Sequence, residues 1–77
     1  MTLEDEIDGK LLTEAIVRWL SGLSYEERIL FLRRYWFGDN LKDLAKCFRT
    51  EPNKLAGRMF RLRNSLKNAL EMEGISL

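Results

Sequence analysis

Leu55, Met59, Leu62, Leu66 and Leu70 recur at intervals of four, three, four and four residues. At about 100° per residue they fall in one narrow sector of a helix. A helix with a single apolar seam is stable only when something covers that seam, so the rest of the chain must fold against it. Strand-like alternation is absent and Pro52 is the single proline, so helix is the expectation throughout. Low-complexity segments and internal repeats are absent.

Four helices follow from local signals. Residues 1–10 read as an acidic leader or linker remnant. A first helix is expected from about Lys10 to Ser21, with Leu12, Ile16, Trp19 and Leu20 at helical spacing and Gly22 as its stop. Ser24-Tyr-Glu-Glu27 fits a capping box, in which Ser24 accepts from the Glu27 amide and Glu27 reaches back to the amide of Ser24. Tyr25, Ile29, Leu32 and Trp36 then form one stripe of a second helix, which Gly38-Asp39 ends. Asn40-Leu-Lys-Asp43 caps a short third helix over about Leu41 to Phe48, with Leu44, Ala45 and Phe48 facing inward. After a turn at Arg49-Thr50, Pro52 opens a fourth helix, where its missing N–H costs nothing. That helix runs to about Glu71, and residues 74–77 read as a tail. The fold class is therefore all-α: a small domain of about four helices over residues 11–73.

Length limits this domain. A chain of 77 residues buries only roughly 60% of the surface it exposes when unfolded. Cys47 is the single cysteine, so an internal disulfide is impossible and a reducing compartment is the natural home. The N-terminus has no secretory signal, and no apolar run approaches the roughly 20 residues that span a bilayer. The expectation is a soluble, cytoplasmic protein without membrane association.

The formal net charge of +1 conceals an asymmetry. Residues 1–27 carry seven acids against two bases, whereas residues 28–77 carry eleven bases against five acids. From Lys46 to Leu70 seven bases face only Glu51. Such segregation is either the solvation of a small helical domain or a pointer to nucleic acid. Catalysis has little to draw on: there is no histidine, no partner for Cys47 and no glycine-rich phosphate loop. No enzyme activity, cofactor or metal is expected.

A short helix with Ala45 at its inward position, a tight turn and a longer basic helix have the layout of a helix-turn-helix. Opposite the seam, the fourth helix carries Asn53, Lys54, Gly57, Arg61, Asn64 and Asn68, with Arg58 and Arg63 flanking the seam. Arginine suits guanine, asparagine suits adenine, and glycine lets the backbone approach a groove. The alternative is an ordinary solvated face. Phe60 interrupts it: either it packs under a neighbouring segment or it meets thymine methyls. Lys42, Lys46, Arg49 and Lys54 are candidates for phosphate contacts, because the first helix of such a motif crosses the backbone.

Leu23-Ser-Tyr-Glu-Glu-Arg28-Ile-Leu-Phe-Leu-Arg33-Arg-Tyr35, then Leu41-Lys-Asp-Leu-Ala45, then Asn53-Lys-Leu-Ala-Gly-Arg58-Met-Phe-Arg61-Leu-Arg63-Asn-Ser-Leu66 resembles region four of bacterial RNA polymerase sigma factors. The likeness is to the sigma-70 family, in its extracytoplasmic-function type, and covers about residues 11–73. It implies a helix-turn-helix whose fourth helix enters the major groove of the minus-35 promoter element while the domain docks on the flap of the polymerase β subunit. Groove-facing positions carried over are Ala56, Gly57, Arg58, Phe60 and Arg61, with Asn53 and Lys54 at the helix start. An anti-sigma factor is a further partner of such domains. Nothing here corresponds to the family's minus-10-binding region, so the resemblance implies the C-terminal piece of a longer factor or a free-standing relative. Three positions depart from the pattern. Ala56 and Gly57 stand where a basic residue and a serine are frequent, and Arg49 stands where the turn usually has glycine. The DNA-binding domain of a response regulator shares the motif, but the Arg58–Arg63 run and the Glu27-Arg28 helix start fit it less well.

Leu30, Phe31 and Phe37 fall off the stripe of the second helix. Either that helix is sandwiched and buries two faces, or Leu30 or Phe37 belongs to an exposed apolar patch that receives the flap. The rival function is a sigma-like helical protein-interaction module that does not read DNA.

Overall fold

A computed structural model describes residues 3–75, with side chains from residue 9 onward. The chain forms α1 (Leu3–Ser21), α2 (Tyr25–Tyr35), α3 (Leu41–Cys47) and α4 (Pro52–Met72). Both α1 and α3 lie against α4, and α2 contacts α3 and α4. The covering of the α4 seam thus organises the whole domain. Leu55, Met59 and Leu62 meet Leu30, Leu44 and Ala45 in the central core, with Trp19, Leu23, Phe31, Leu41 and Phe48 packed around it. Ala15 of α1 and Leu70 of α4 are also buried.

From Leu3 onward the expected leader is helical instead: α1 includes Leu3, seven residues before Lys10, while positions 1 and 2 lie outside the described residues. Residues 3–9 hold too few apolar positions to show a period. They also hold no proline, and Gly9 alone costs a helix only about 1 kcal/mol. The tail changes as well. Gly74 takes φ +77°, and the Gly74 and Ile75 amides donate to Glu71 and Leu70 carbonyls. These two residues are the Schellman cap of α4 rather than a loose end. Positions 76 and 77 of the expected tail lie outside the described residues.

Local signals place the other boundaries. Ser24 accepts from the Glu27 amide at 3.2 Å. The expected return bond is replaced: the Ser24 hydroxyl donates to Glu27 Oε1 at 3.0 Å. Asn40 accepts from the Asp43 amide at 2.8 Å and starts α3. Helix α3 ends in another Schellman cap, in which Thr50 N–H donates to Ala45 O at 2.9 Å and Arg49 N–H to Lys46 O at 3.2 Å. Arg49 accepts the turn geometry by adopting φ +53°.

The stripe expected for α2 is not its buried face. Tyr25 and Trp36 are 77% and 80% exposed, while Leu30 is completely buried and Phe31 packs on the core. An eleven-residue helix with apolar groups on several sides offers more than one plausible seam. Packing against α3 and α4 selects the Leu30 side. Phe31 stacks edge-on against Trp19, with centroids 4.8 Å apart, and the Trp19 indole N–H donates to Ser65 Oγ at 3.0 Å, tying α1 to both neighbours.

Candidate nucleic-acid interface

Burying Leu55, Met59, Leu62 and Leu70 turns the opposite side of α4 outward. Asn53, Lys54, Phe60, Arg61, Asn64 and Asn68 are exposed on it. Ala56 and Gly57 are half-buried. Phe60 is 57% exposed, so no neighbouring segment covers it. Gly57 has no partner that demands a glycine: a Cβ there would meet Arg61 Nη1 at 3.7 Å, an ordinary contact. A glycine in mid-helix costs stability, and packing within the domain gives no reason for it.

The bases differ in what engages them. Lys42 and Lys46 on α3, Arg49 in the turn, and Lys54 and Arg61 on α4 are exposed. Among the described residues, no side-chain hydrogen bond or ion pair engages them. Lys10 and Lys67 are likewise exposed and unengaged among the described residues, whereas the remaining arginines are occupied inside the fold. Arg28 donates to the carbonyls of Leu20 at 3.0 Å, Leu23 at 3.2 Å and Ser21 at 3.4 Å, closing the C-terminal end of α1. Carbonyls at a helix C-terminus lack intrahelical partners and carry partial negative charge, which suits a guanidinium.

Arg33 Nε bonds Asp39 Oδ2 at 2.7 Å, and Arg34 donates to the Asp39 carbonyl at 3.3 Å, so both fasten the turn after α2. Asp39, with a smaller contribution from Cys47, raises the Arg33 pKa above its ordinary value. Arg63 donates to the Tyr35 hydroxyl at 2.5 Å. Arg58, expected to face a groove, instead bonds Glu26 Oε1 on α2 at 3.1 Å.

The candidate polymerase contacts separate in the same way. Leu30 is core and presents nothing to a partner, which corrects the expectation for that residue. Phe37 is 71% exposed. It sits at an apolar groove of about 580 Å³ between α1 and α2, lined also by Ile16, Val17, Leu20, Leu32 and Trp36. Of the two alternatives for the off-stripe residues, burial holds for Leu30 and Phe31 and exposure for Phe37.

Sequence reasoning identified the exposed face of α4 because helical period alone fixes it. It missed the structural duties of Arg28, Arg33, Arg34 and Arg58. Asp39 lies six residues after Arg33, in the turn beyond α2, and no local pattern links Glu26 to Arg58.

No group of three or more histidine, cysteine, aspartate or glutamate side chains among the described residues could hold a metal ion. No described helix is long and apolar enough to cross a membrane. Comparison with protein-family models, with curated proteins and with solved structures finds no match to this chain.

Proposed function

We propose that this domain reads promoter DNA in the manner of sigma-factor region four, with α3, the Arg49 turn and α4 acting as a helix-turn-helix. The observation that carries the reading is the uncovered face of α4. It combines Asn53, Lys54, Gly57, Phe60 and Arg61 with unpaired bases on the adjacent α3 and turn. Helix α4 enters the major groove, where Arg61 and Asn53 suit base edges and Phe60 suits thymine methyls. Lys42, Lys46, Arg49 and Lys54 contact phosphates on either side. Under the same reading the minus-35 element is the DNA target. The α1–α2 groove around Phe37 receives the polymerase β flap, and an anti-sigma factor competes for these surfaces.

Five exposed bases predict modest affinity with a pronounced salt response. Neutralising five phosphates gives log K against log salt a slope of about −4 to −5. A fluorescence-anisotropy titration against duplex DNA at several salt concentrations measures it. Binding absent at low salt, or insensitive to salt, overturns the proposal. The rival reading, a helical protein-interaction module in a cytoplasmic setting, draws support from the exposed Trp36 and Phe37 beside the apolar groove. It predicts no salt-sensitive duplex binding.

A further inference from the structure

The geometry points to Glu26 as an internal competitor of DNA phosphate: it occupies Arg58 and so sets how tightly α4 holds a duplex. The inference rests on the DNA-binding reading of α4 and concerns the strength of that same site. Arg58 follows Gly57 directly and precedes Arg61 by three residues, which puts it where the exposed face of α4 meets the buried seam. Its guanidinium turns away from that face, to Glu26 Oε1 at 3.1 Å. Glu26 lies in the first turn of α2. Glu27 beside it lines one cleft with Arg58, Arg61 and Ser65. The acidic start of α2 is therefore set against the basic middle of α4.

The bridge is exposed, with side-chain accessibilities of 32% for Arg58 and 57% for Glu26. Ion pairs this open to water are weak, so a phosphate can replace the carboxylate. The exchange, however, gains little. Arg58 leaves one anion for another, and Glu26 remains within a Debye length (about 10 Å at moderate salt) of the incoming phosphates. Arg58 therefore contributes almost nothing to net affinity while Glu26 is charged. Lys42, Lys46, Arg49, Lys54 and Arg61 have no such partner among the described residues.

The test is a double-substitution cycle: wild type, E26Q, R58Q and E26Q/R58Q, each titrated against the same random-sequence duplex at several salt concentrations. E14Q changes the net charge equally from an exposed site on α1 and serves as control. Thermal melts establish that each variant is folded. The inference expects E26Q to tighten binding by about 3- to 10-fold and to steepen the salt slope by about 0.9, the value of one further phosphate. R58Q alone changes little, and the gain from E26Q disappears in E26Q/R58Q. An equal gain in E14Q, or a gain that survives in E26Q/R58Q, makes the effect general charge and overturns the inference. A loss of affinity in E26Q also overturns it, because Glu26 then positions Arg58 for DNA. If wild type and all variants lack salt-sensitive binding, the DNA reading falls and takes the inference with it. If wild type binds and E26Q is unchanged, the inference alone fails.

Discussion

Replacing Arg49 with glycine tests whether the turn between α3 and α4 is strained by its side chain. Arg49 holds φ +53°, where an L-residue with a Cβ costs about 1–2 kcal/mol. Schellman caps usually place glycine there because it escapes that cost. Glycine also has more freedom to lose on folding, which takes back about 0.5–1 kcal/mol. The Arg49 side chain is exposed, and no hydrogen bond to it is lost among the described residues. R49G should therefore stabilise the domain by about 0.5–1 kcal/mol. For a chain of this size, that raises the Tm by roughly 2–8 °C. Urea unfolding followed by circular dichroism reads the change as a higher midpoint with an unchanged m-value. R49A keeps the Cβ and should match wild type or fall below it. Destabilisation by R49G, or an equal gain from R49A, would refute the strain argument. Under the DNA reading R49G simultaneously weakens duplex binding by about 3- to 10-fold, through the loss of one phosphate contact. Stability and affinity then move in opposite directions.

Three further substitutions probe the partition between core and surface. G57A should raise stability by about 0.5–1 kcal/mol, since alanine favours the helix and the new methyl meets only Arg61 at ordinary contact. Its duplex affinity should drop, and an affinity unchanged from wild type would remove the close-approach role of Gly57. L30A should cost about 2–5 kcal/mol because it empties a fully buried site. F37D, at an exposed position, should stay within about 0.5 kcal/mol of wild type. Comparable losses for both in a denaturant titration would contradict the α2 packing.

Residues that act within one turn of helix were legible. Ser24, Asn40 and Pro52 mark helix starts because capping depends on atoms three residues apart or on a missing N–H. Gly38 marks an end because glycine adopts a positive φ without cost, whereas Gly74, with the same geometry, reads from the sequence only as part of a tail. The outward face of α4 follows from its seam, so its candidate residues could be named before any packing was known. The start of α1 was not legible. Its first turns lack an apolar period, and helical structure there continues from the segment that docks on α4.

Helix content, boundaries from α2 onward and the seam of α4 are properties of short sequence windows, and the chain alone determined them. Tertiary structure decided which side of α2 is buried. It placed Leu30 in the core and left Tyr25 and Trp36 in solvent. It also decided which arginines remain available: Arg58 meets a carboxylate 32 positions away and Arg63 a hydroxyl 28 positions away. Periodicity describes one helix against an unspecified partner. The burial of a particular face and the pairing of distant charges depend on where the other helices lie, and that arises only when all four close on the same seam.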